Sequence, residues 1–197
     1  DATTNFDTML MYFTSGTTGM PKMVVHDFRY PLGHILTAKF WQDLHPGDLH
    51  FTHADTGWAK TSWGKIYGQW ICEAAIFVYD YENKFKPTDL LRVIEQHKVT
   101  VFCAPPTVFR FLIKADIEHY DLSCLRHCCI AGEPLNAEVY NKWKEITGLE
   151  LREGFGQSET CVLIATFPWI AAKPGSTGRP SPHFNVKLLG GDGKEVE

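Results

Sequence analysis

Short apolar runs alternate along this chain with stretches in which apolar residues recur every three or four positions. Met9–Phe13 and Met23–His26 read as strands on either side of a glycine-rich turn. Residues 29–42 can form a helix, stopped by Pro46-Gly47-Asp48, and Leu49–Ala54 reads as the next strand. A helix starting near Ser62 would carry Trp63, Ile66, Tyr67, Trp70 and Ile71 at i, i+3, i+4, i+7 and i+8, an apolar face at helical period. Ala75–Tyr79 is a continuous apolar run of the kind found in strands covered on both faces. Pro87 suits the first turn of a helix whose face is Leu90, Leu91, Ile94 and Lys98. Val99–Ala104 then reads as a strand, Pro106–Ala115 as a helix and Arg126–Ala131 as a strand. The next helix is capped by Asn136, holds Glu138 in its first turn, buries Val139, Tyr140, Trp143 and Ile146, and stops at Gly148. Leu149–Glu153 is a further strand; the last forty residues, rich in Pro and Gly, end in the strand-like Asn185–Leu189.

Strands separated by helices of 10–15 residues imply βαβ crossovers and a largely parallel sheet. The fold class is α/β, and residues 1–197 read as a single α/β unit without repeats or low-complexity linkers. Ligands of parallel sheets collect at the carboxyl ends of strands. Four segments follow strands in this way: Thr14–Lys22, Asp55–Lys60, Gly132–Leu135 and Gly154–Thr160. The pattern therefore predicts that these four loops converge on one edge.

The first of them carries the most chemistry. Tyr12-Phe13-Thr14-Ser15-Gly16-Thr17-Thr18-Gly19-Met20-Pro21-Lys22 runs from an apolar strand into hydroxyls and glycines and closes on a lysine. Glycines let backbone N–H groups approach phosphate oxygens, hydroxyls add hydrogen bonds, and the lysine supplies a point charge. A P-loop needs four residues between its glycines and then Gly-Lys-Ser/Thr. Here only two residues separate Gly16 from Gly19, and Lys22 lies between Pro21 and Met23, so that reading fails. A plain turn would explain the glycines but not four hydroxyls and a lysine together.

Composition narrows the field. The chain has 19 basic and 23 acidic residues and a net charge of −4, which gives no footing for nucleic acid. No apolar run approaches a membrane span. The chain opens Asp1-Ala2-Thr3-Thr4-Asn5, without Met or a signal peptide, and reads as a piece of a larger protein. Its six cysteines, Cys72, Cys103, Cys124, Cys128, Cys129 and Cys161, lack paired zinc spacing and mostly sit in apolar runs. They read as small buried hydrophobes kept reduced, which implies an intracellular home. His127 beside Cys128 is too little for a metal site.

Thr14-Ser15-Gly16-Thr17-Thr18-Gly19-Met20-Pro21-Lys22 resembles the phosphate-loop signature of the adenylate-forming superfamily, which includes acyl-CoA synthetases, luciferases and peptide-synthetase adenylation domains. Gly154-Phe155-Gly156-Gln157-Ser158-Glu159-Thr160 resembles its aromatic-Gly-x-Thr-Glu motif, with Ser158 in place of threonine. Gly175-Ser176-Thr177-Gly178-Arg179-Pro180 resembles its Gly-Ser-x-Gly-x-Pro motif, and Ala131-Gly132-Glu133-Pro134-Leu135 the segment that walls the adenine. Asp55-Thr56-Gly57-Trp58-Ala59-Lys60 is closer to acetyl- and medium-chain acyl-CoA synthetases than to the other branches.

The resemblance implies part of the large N-terminal domain of an AMP-forming acyl-CoA synthetase. Its reaction uses ATP with Mg²⁺ to turn a carboxylic acid into an acyl-adenylate, releasing pyrophosphate; coenzyme A then displaces AMP. It implies that Thr14, Ser15, Gly16, Thr17, Thr18, Gly19 and Lys22 hold the phosphates, with Lys22 and Glu159 catalytic and Glu159 the metal ligand. Gly132, Glu133, Pro134, Gly154, Phe155, Gly156, Gln157 and Ser158 would contact the rest of the nucleotide. Acetyl-specific relatives carry two tryptophans where this chain has Phe155-Gly156, which implies room for a short- to medium-chain acid longer than acetate. Trp58, Trp63 and Gly156 are the implied acyl-pocket residues, with Lys60 at its mouth. The small C-terminal domain with its catalytic lysine would be absent from this stretch, leaving it inactive alone. The expected home is the cytoplasm, or the mitochondrial matrix in a eukaryote. An adenylation domain that loads a carrier-protein thiol and a non-catalytic nucleotide-binding module are the alternative readings.

Overall fold

The computed structural model describes residues 2–15, 19–55, 59–80 and 84–196. Two strands, β1 (Thr8–Thr14) and β2 (Lys22–Asp27), pair antiparallel as a sheet of their own. Helix α1 (Tyr30–Gly33) and a π-helical stretch, Leu36–Trp41, lead to β3 (Leu49–Thr52). There follow α2 (Ala59–Lys65), α3 (Tyr67–Ile71), β4 (Ala75–Ile76), α4 (Pro87–His97), β5 (Val101–Ala104) and α5 (Pro106–Ile113). The chain continues through β6 (His127–Ala131), α6 (Ala137–Thr147), β7 (Leu151–Gly156), β8 (Val162–Ala165) and β9 (Arg179–Pro180). The main sheet runs β4-β3-β5-β6-β7-β8-β9, parallel from β4 to β7 and antiparallel beyond.

Strands β5 and β6 are covered on both faces, with every residue buried, whereas the Ala75–Tyr79 run expected to be so covered leaves Ala75 and Val78 exposed. One face carries α4, α5 and α6, whose Leu90, Leu91, Phe109, Leu112 and Trp143 pack on Phe102, Cys128 and Ile130. Trp143 is fully buried and meets Phe109 edge-to-face at 4.7 Å. Truncating such a side chain to alanine costs about 3–5 kcal/mol. On the other face, Trp41 and Phe167 cluster with Cys103, Cys129 and Val162 of the sheet itself. Asn136 accepts a hydrogen bond from the Glu138 N–H, and Gly148 closes α6 in the left-handed region, both as the sequence implies. Cys72, Cys103, Cys128 and Cys129 are buried free thiols.

The differences have physical causes. Strands β1 and β2 do not join the parallel sheet, so the Thr14–Lys22 segment expected at its edge connects two antiparallel strands instead of following a parallel one. The helix over 29–42 becomes one turn of α1 and the π-helical stretch, with the Gln42 N–H donating to Thr37 O at 2.9 Å. This widened turn sends Trp41 onto Gly154 and Gln42 toward α3. The helix over Trp63–Ile71 breaks at Ile66, and its large apolar residues Trp70 and Ile71 are exposed. Glycines face inward instead: a Cβ on Gly68 would sit 2.4 Å from the Ala38 side chain. Gln69 is buried because it donates to Gln42 Oε1 (2.8 Å) and Gly64 O (2.9 Å). The Ala75–Tyr79 run yields a two-residue edge strand, Lys98 is the exposed left-handed cap of α4, and Leu189 forms only an isolated bridge to Glu195.

The amino ends of β3 and β6 are tied by charge. Arg126 binds Asp43 at 2.9 Å and Asp48 at 3.0 Å, and Thr100 donates to Asp48 at 2.8 Å. Burial pushes the Asp48 carboxyl up, but Arg126 and the other donors hold it below its usual value.

Three buried histidines set a pH dependence. Burial pulls His34 and His50 from 6.5 down to about 3 and His127 to about 4. Unfolding therefore takes up protons between pH 6.5 and these values. Stability should be full above pH 6.5 and fall below it by about 1 kcal/mol per pH unit for each histidine. Thermal unfolding at pH 7 and pH 5 checks this; an unchanged midpoint would contradict it.

Candidate active site

Two clefts open at the carboxyl ends of the parallel strands. The first, about 440 Å³, is lined by Gly132–Leu135 after β6, Glu153–Gln157 of β7 and its exit, and Gly175 and Thr177. Thr177 is held there because its hydroxyl donates to Glu153 Oε1 at 3.0 Å and its carbonyl accepts from Thr166 at 3.0 Å. The second, about 370 Å³, lies beyond the ends of β3 and β5 and is lined by apolar Ala54, Pro105 and Val108 with polar His53, Asp55, Lys60, Thr107 and Glu133. Gly132 and Glu133 border both.

That shared wall is tightly specified. Lys60 Nζ donates to Ala131 O at 2.7 Å, and burial pulls the ammonium below the usual lysine range. Gly132 has φ +99°, and a Cβ there would stand 3.2 Å from Lys60 Nζ, so glycine suits both the backbone and the space. Thr107 donates to Glu133 Oε2 at 2.6 Å and fixes that carboxylate against the second cleft.

The remaining candidate residues sit on two other segments. Thr14 and Lys22 are register partners at the end of the hairpin, with Ser15 and Gly19 (φ +94°) exposed beyond them. Glu159 is exposed on a turn closed by the Gln157 N–H to Thr160 Oγ1 (3.0 Å) and the Thr160 N–H to Gln157 O (3.1 Å). Ser158, in the same turn, accepts a hydrogen bond from His26 of β2. Lys22 and Glu159 make no hydrogen bond or ion pair with each other among the described residues. Gly16, Thr17, Thr18 and Trp58 lie outside the described residues, as does the Trp63 side chain.

The structure thus brings Gly132, Glu133, Pro134, Gly154, Phe155, Gly156 and Gln157 to one cleft. Gly156 lines that cleft and not the one that holds Lys60. Position 156 also has no room for a side chain, since a Cβ would lie 2.6 Å from the Cys161 carbonyl oxygen. Among the described residues no three His, Cys, Asp or Glu gather as a metal cluster. A lone exposed Glu159 still fits magnesium that arrives on a polyphosphate, because that ion keeps waters and takes only one or two carboxylates.

The profile of the AMP-binding enzyme family matches residues 1–197. The chain belongs to that family. It is 42% identical over 182 residues to human acyl-coenzyme A synthetase ACSM3, mitochondrial, covering 92% of this chain and 31% of the relative. It is 41% identical over 191 residues to 4-hydroxybutyrate–CoA ligase 1 of Metallosphaera sedula, covering 96% and 34%. The chain therefore spans about a third of the length of these curated relatives. Among solved structures, the anthranilate CoA ligase AuaEII in complex with anthranoyl-AMP superposes with a TM-score of 0.89 at 30% identity, covering 98% of this chain and 38% of that one. An acyl-CoA synthetase of Brucella canis gives 0.88 at 28% identity, covering 98% and 36%. The mixed α/β fold with its mostly parallel sheet is that of these ligases. Among the described residues, no helix is long and apolar enough to cross a membrane.

Several site residues escape a motif-led reading. Thr177 belongs to the Gly175–Pro180 segment, whose resemblance alone could have flagged it. Thr107 follows Pro105-Pro106 just beyond β5, where the rule for parallel sheets directs attention. His26 has no local signal. Gly156→Ala should destabilise the protein by about 1–3 kcal/mol, because the new methyl must displace the Cys161 backbone. Urea unfolding measures this; wild-type stability in the variant would mean that the junction of β7 and β8 yields without cost.

Proposed function

We propose that this chain is the nucleotide-binding core of an AMP-forming acyl-CoA synthetase. The observation that carries the reading is the pair of clefts sharing Gly132 and Glu133. A reaction that joins two substrates needs their reacting atoms to meet at a common boundary. The cleft beside Gly154–Gln157 suits the nucleotide, and the partly apolar cleft beside Lys60 suits the acid and then the incoming thiol. The names of the ACSM3 and 4-hydroxybutyrate relatives, and the anthranoyl-AMP complex of the structural neighbour, support a CoA ligase that passes through an adenylate.

A carboxylate oxygen attacks the α-phosphorus of ATP, the bond to the bridging oxygen breaks, and pyrophosphate leaves with its electron pair. The thiol sulfur of coenzyme A then attacks the acyl carbon and AMP departs. Thr14, Ser15, Gly16, Thr17, Thr18, Gly19 and Lys22 are the proposed phosphate contacts. Gly132, Glu133, Pro134, Gly154, Phe155, Gly156, Gln157 and Ser158 would surround the rest of the nucleotide. Magnesium bound to the phosphates would neutralise developing charge, with Glu159 as its protein ligand. Trp58 and Trp63 remain the proposed acyl-pocket walls, and the proposed acid is short to medium in length and longer than acetate, a reading supported by the name of the 4-hydroxybutyrate relative and not by Gly156, which lines the nucleotide cleft. The chain would serve as one α/β unit of a larger enzyme, in the mitochondrial matrix or the cytoplasm; the name of the ACSM3 relative carries the word mitochondrial.

Carboxylate-dependent ATP–pyrophosphate exchange by the whole protein tests this, with acids from acetate to octanoate plus benzoate. Exchange should be stronger with butyrate or longer acids than with acetate, and Lys22→Ala should slow it by about 10²–10³-fold. No exchange with any acid would overturn the proposed activity, and an unchanged rate in Lys22→Ala would remove that residue from the chemistry.

A further inference from the structure

The lysine proposed to act on ATP lies on the β1–β2 hairpin and the glutamate on the turn between β7 and β8, and among the described residues the two make no hydrogen bond or ion pair with each other. What spans the gap is His26, whose Nε2 lies 2.6 Å from the Ser158 carbonyl oxygen, across 132 residues of sequence. A carbonyl only accepts, so Nε2 carries the proton and donates.

The ring is held from two other sides. It stacks on Tyr30 with centroids 3.9 Å apart and planes 27° off parallel, and it meets the edge of Tyr12 at 5.8 Å. Tyr30 is itself buried and lies edge-on against His34, which stands 4.0 Å from Cys161 at the far end of the glutamate turn. Strand alternation puts Lys22, Val24 and His26 on one face of β2, opposite Thr14, Tyr12 and Leu10 of β1. Met11, Phe13, Met23 and Val25 occupy the other, exposed face. Lys22 and His26 therefore point the same way, four residues or about 13 Å apart along the strand.

We propose that His26 is a positioning residue for adenylation: its hydrogen bond to Ser158 fixes the hairpin that carries Lys22 against the turn that carries Glu159. The proposal rests on the adenylation reading above. A two-stranded hairpin is marginal alone, so a tether near its base sets where its far end lies. Ser158 is the residue next to Glu159, so the same bond fixes that carboxylate's backbone. Misplacing reacting groups by about 1 Å can cost about 10²-fold in rate.

The test is exchange kinetics and thermal unfolding of the whole protein with His26→Phe and His26→Gln. His26→Phe keeps an aromatic ring but loses the donor. His26→Gln offers an amide N–H near the imidazole Nε2. The expected result is a wild-type melting midpoint with kcat lowered about 10- to 100-fold in His26→Phe, KM for ATP changing less, and recovery to within several-fold in His26→Gln. The double variant Lys22→Ala/His26→Phe should be less impaired than the product of the two single effects, because part of what His26 contributes acts through that lysine. Wild-type exchange in His26→Phe, independent effects that multiply in the double variant, or equal loss in both single variants in step with a lowered midpoint would each overturn the proposal. If wild-type protein exchanges with no acid, the adenylation reading falls by itself, and titration with Mg·ATP decides the tether. Weaker binding in His26→Phe restored in His26→Gln supports it, whereas equal binding or none overturns it.

Discussion

A partly buried ammonium on a strand-end carbonyl holds the centre of this molecule together. Lys60 reaches from α2 to Ala131 O at the end of β6, and taking its charge out of water is costly. The carbonyl accepts one N–H, and the neighbouring Glu133 carboxylate favours the charged form. These offsets are incomplete, which is why the ammonium is easier to deprotonate than a lysine in water. The arrangement demands glycine at 132, where the backbone has φ +99° and the lysine fills the space of a side chain. From that one contact follow the position of α2, the path of the Gly132–Leu135 loop, and the wall that divides one cleft from the other.

Helix α2 cannot hold such a contact unless its far end is anchored, and the anchor is polar. Gly64 O, near the break before α3, accepts from Thr52 (2.5 Å), Gln69 (2.9 Å) and Gln42 (3.3 Å). Because the Thr52 hydroxyl spends its proton on that carbonyl, the His50 Nε2–H contact at 3.2 Å must run from histidine to threonine. Buried polar groups tied in this way fix a geometry that apolar packing alone would leave freer. The three donors come from β3, the residue that caps the π-helical stretch, and α3. The cleft floor is thereby linked to elements on three sides.

This network also explains what the sequence could and could not reveal. Strands β5 and β6 were legible because a strand buried on both faces must be apolar throughout, and α6 because its Asn136 and Gly148 caps act within a few residues. Convergence of Gly132–Leu135 and Gly154–Gln157 followed from the rule that parallel strands deliver their loops to one edge. The inner face of α2 and α3 was hidden, since Gly64, Gly68 and Gln69 bury by close approach and hydrogen bonding rather than by apolar area. Trp70 and Ile71 carry the expected period and point outward. The hairpin's separate sheet was hidden too, because alternation identifies a strand without naming its partner. His26 could not be found at all from local pattern, as both its stacking and its hydrogen-bond partners are set by tertiary structure.

The separation of the hairpin from the parallel sheet bears on how the proposed phosphate binding would be built. A loop at the end of a parallel strand inherits the rigidity of the sheet, and Gly132–Leu135 and Gly154–Gln157 do. The Thr14–Lys22 loop does not, because among the described strands β1 and β2 form ladder pairs only with each other. Its inward face packs through Leu10 and Tyr12 against the apolar cluster that contains Tyr30, Trp41 and Phe167, while its outward face leaves Phe13 and Met23 in solvent. Non-directional packing can hold such an element close without fixing its orientation. Directional bonds must do that, and a carbonyl accepting from an imidazole already clamped by Tyr12 and Tyr30 is the directional bond the structure provides. A polyphosphate bound between Lys22 and Glu159 would then meet two charges whose spacing is set by tertiary contacts near the hairpin's base, not by the loop that touches it.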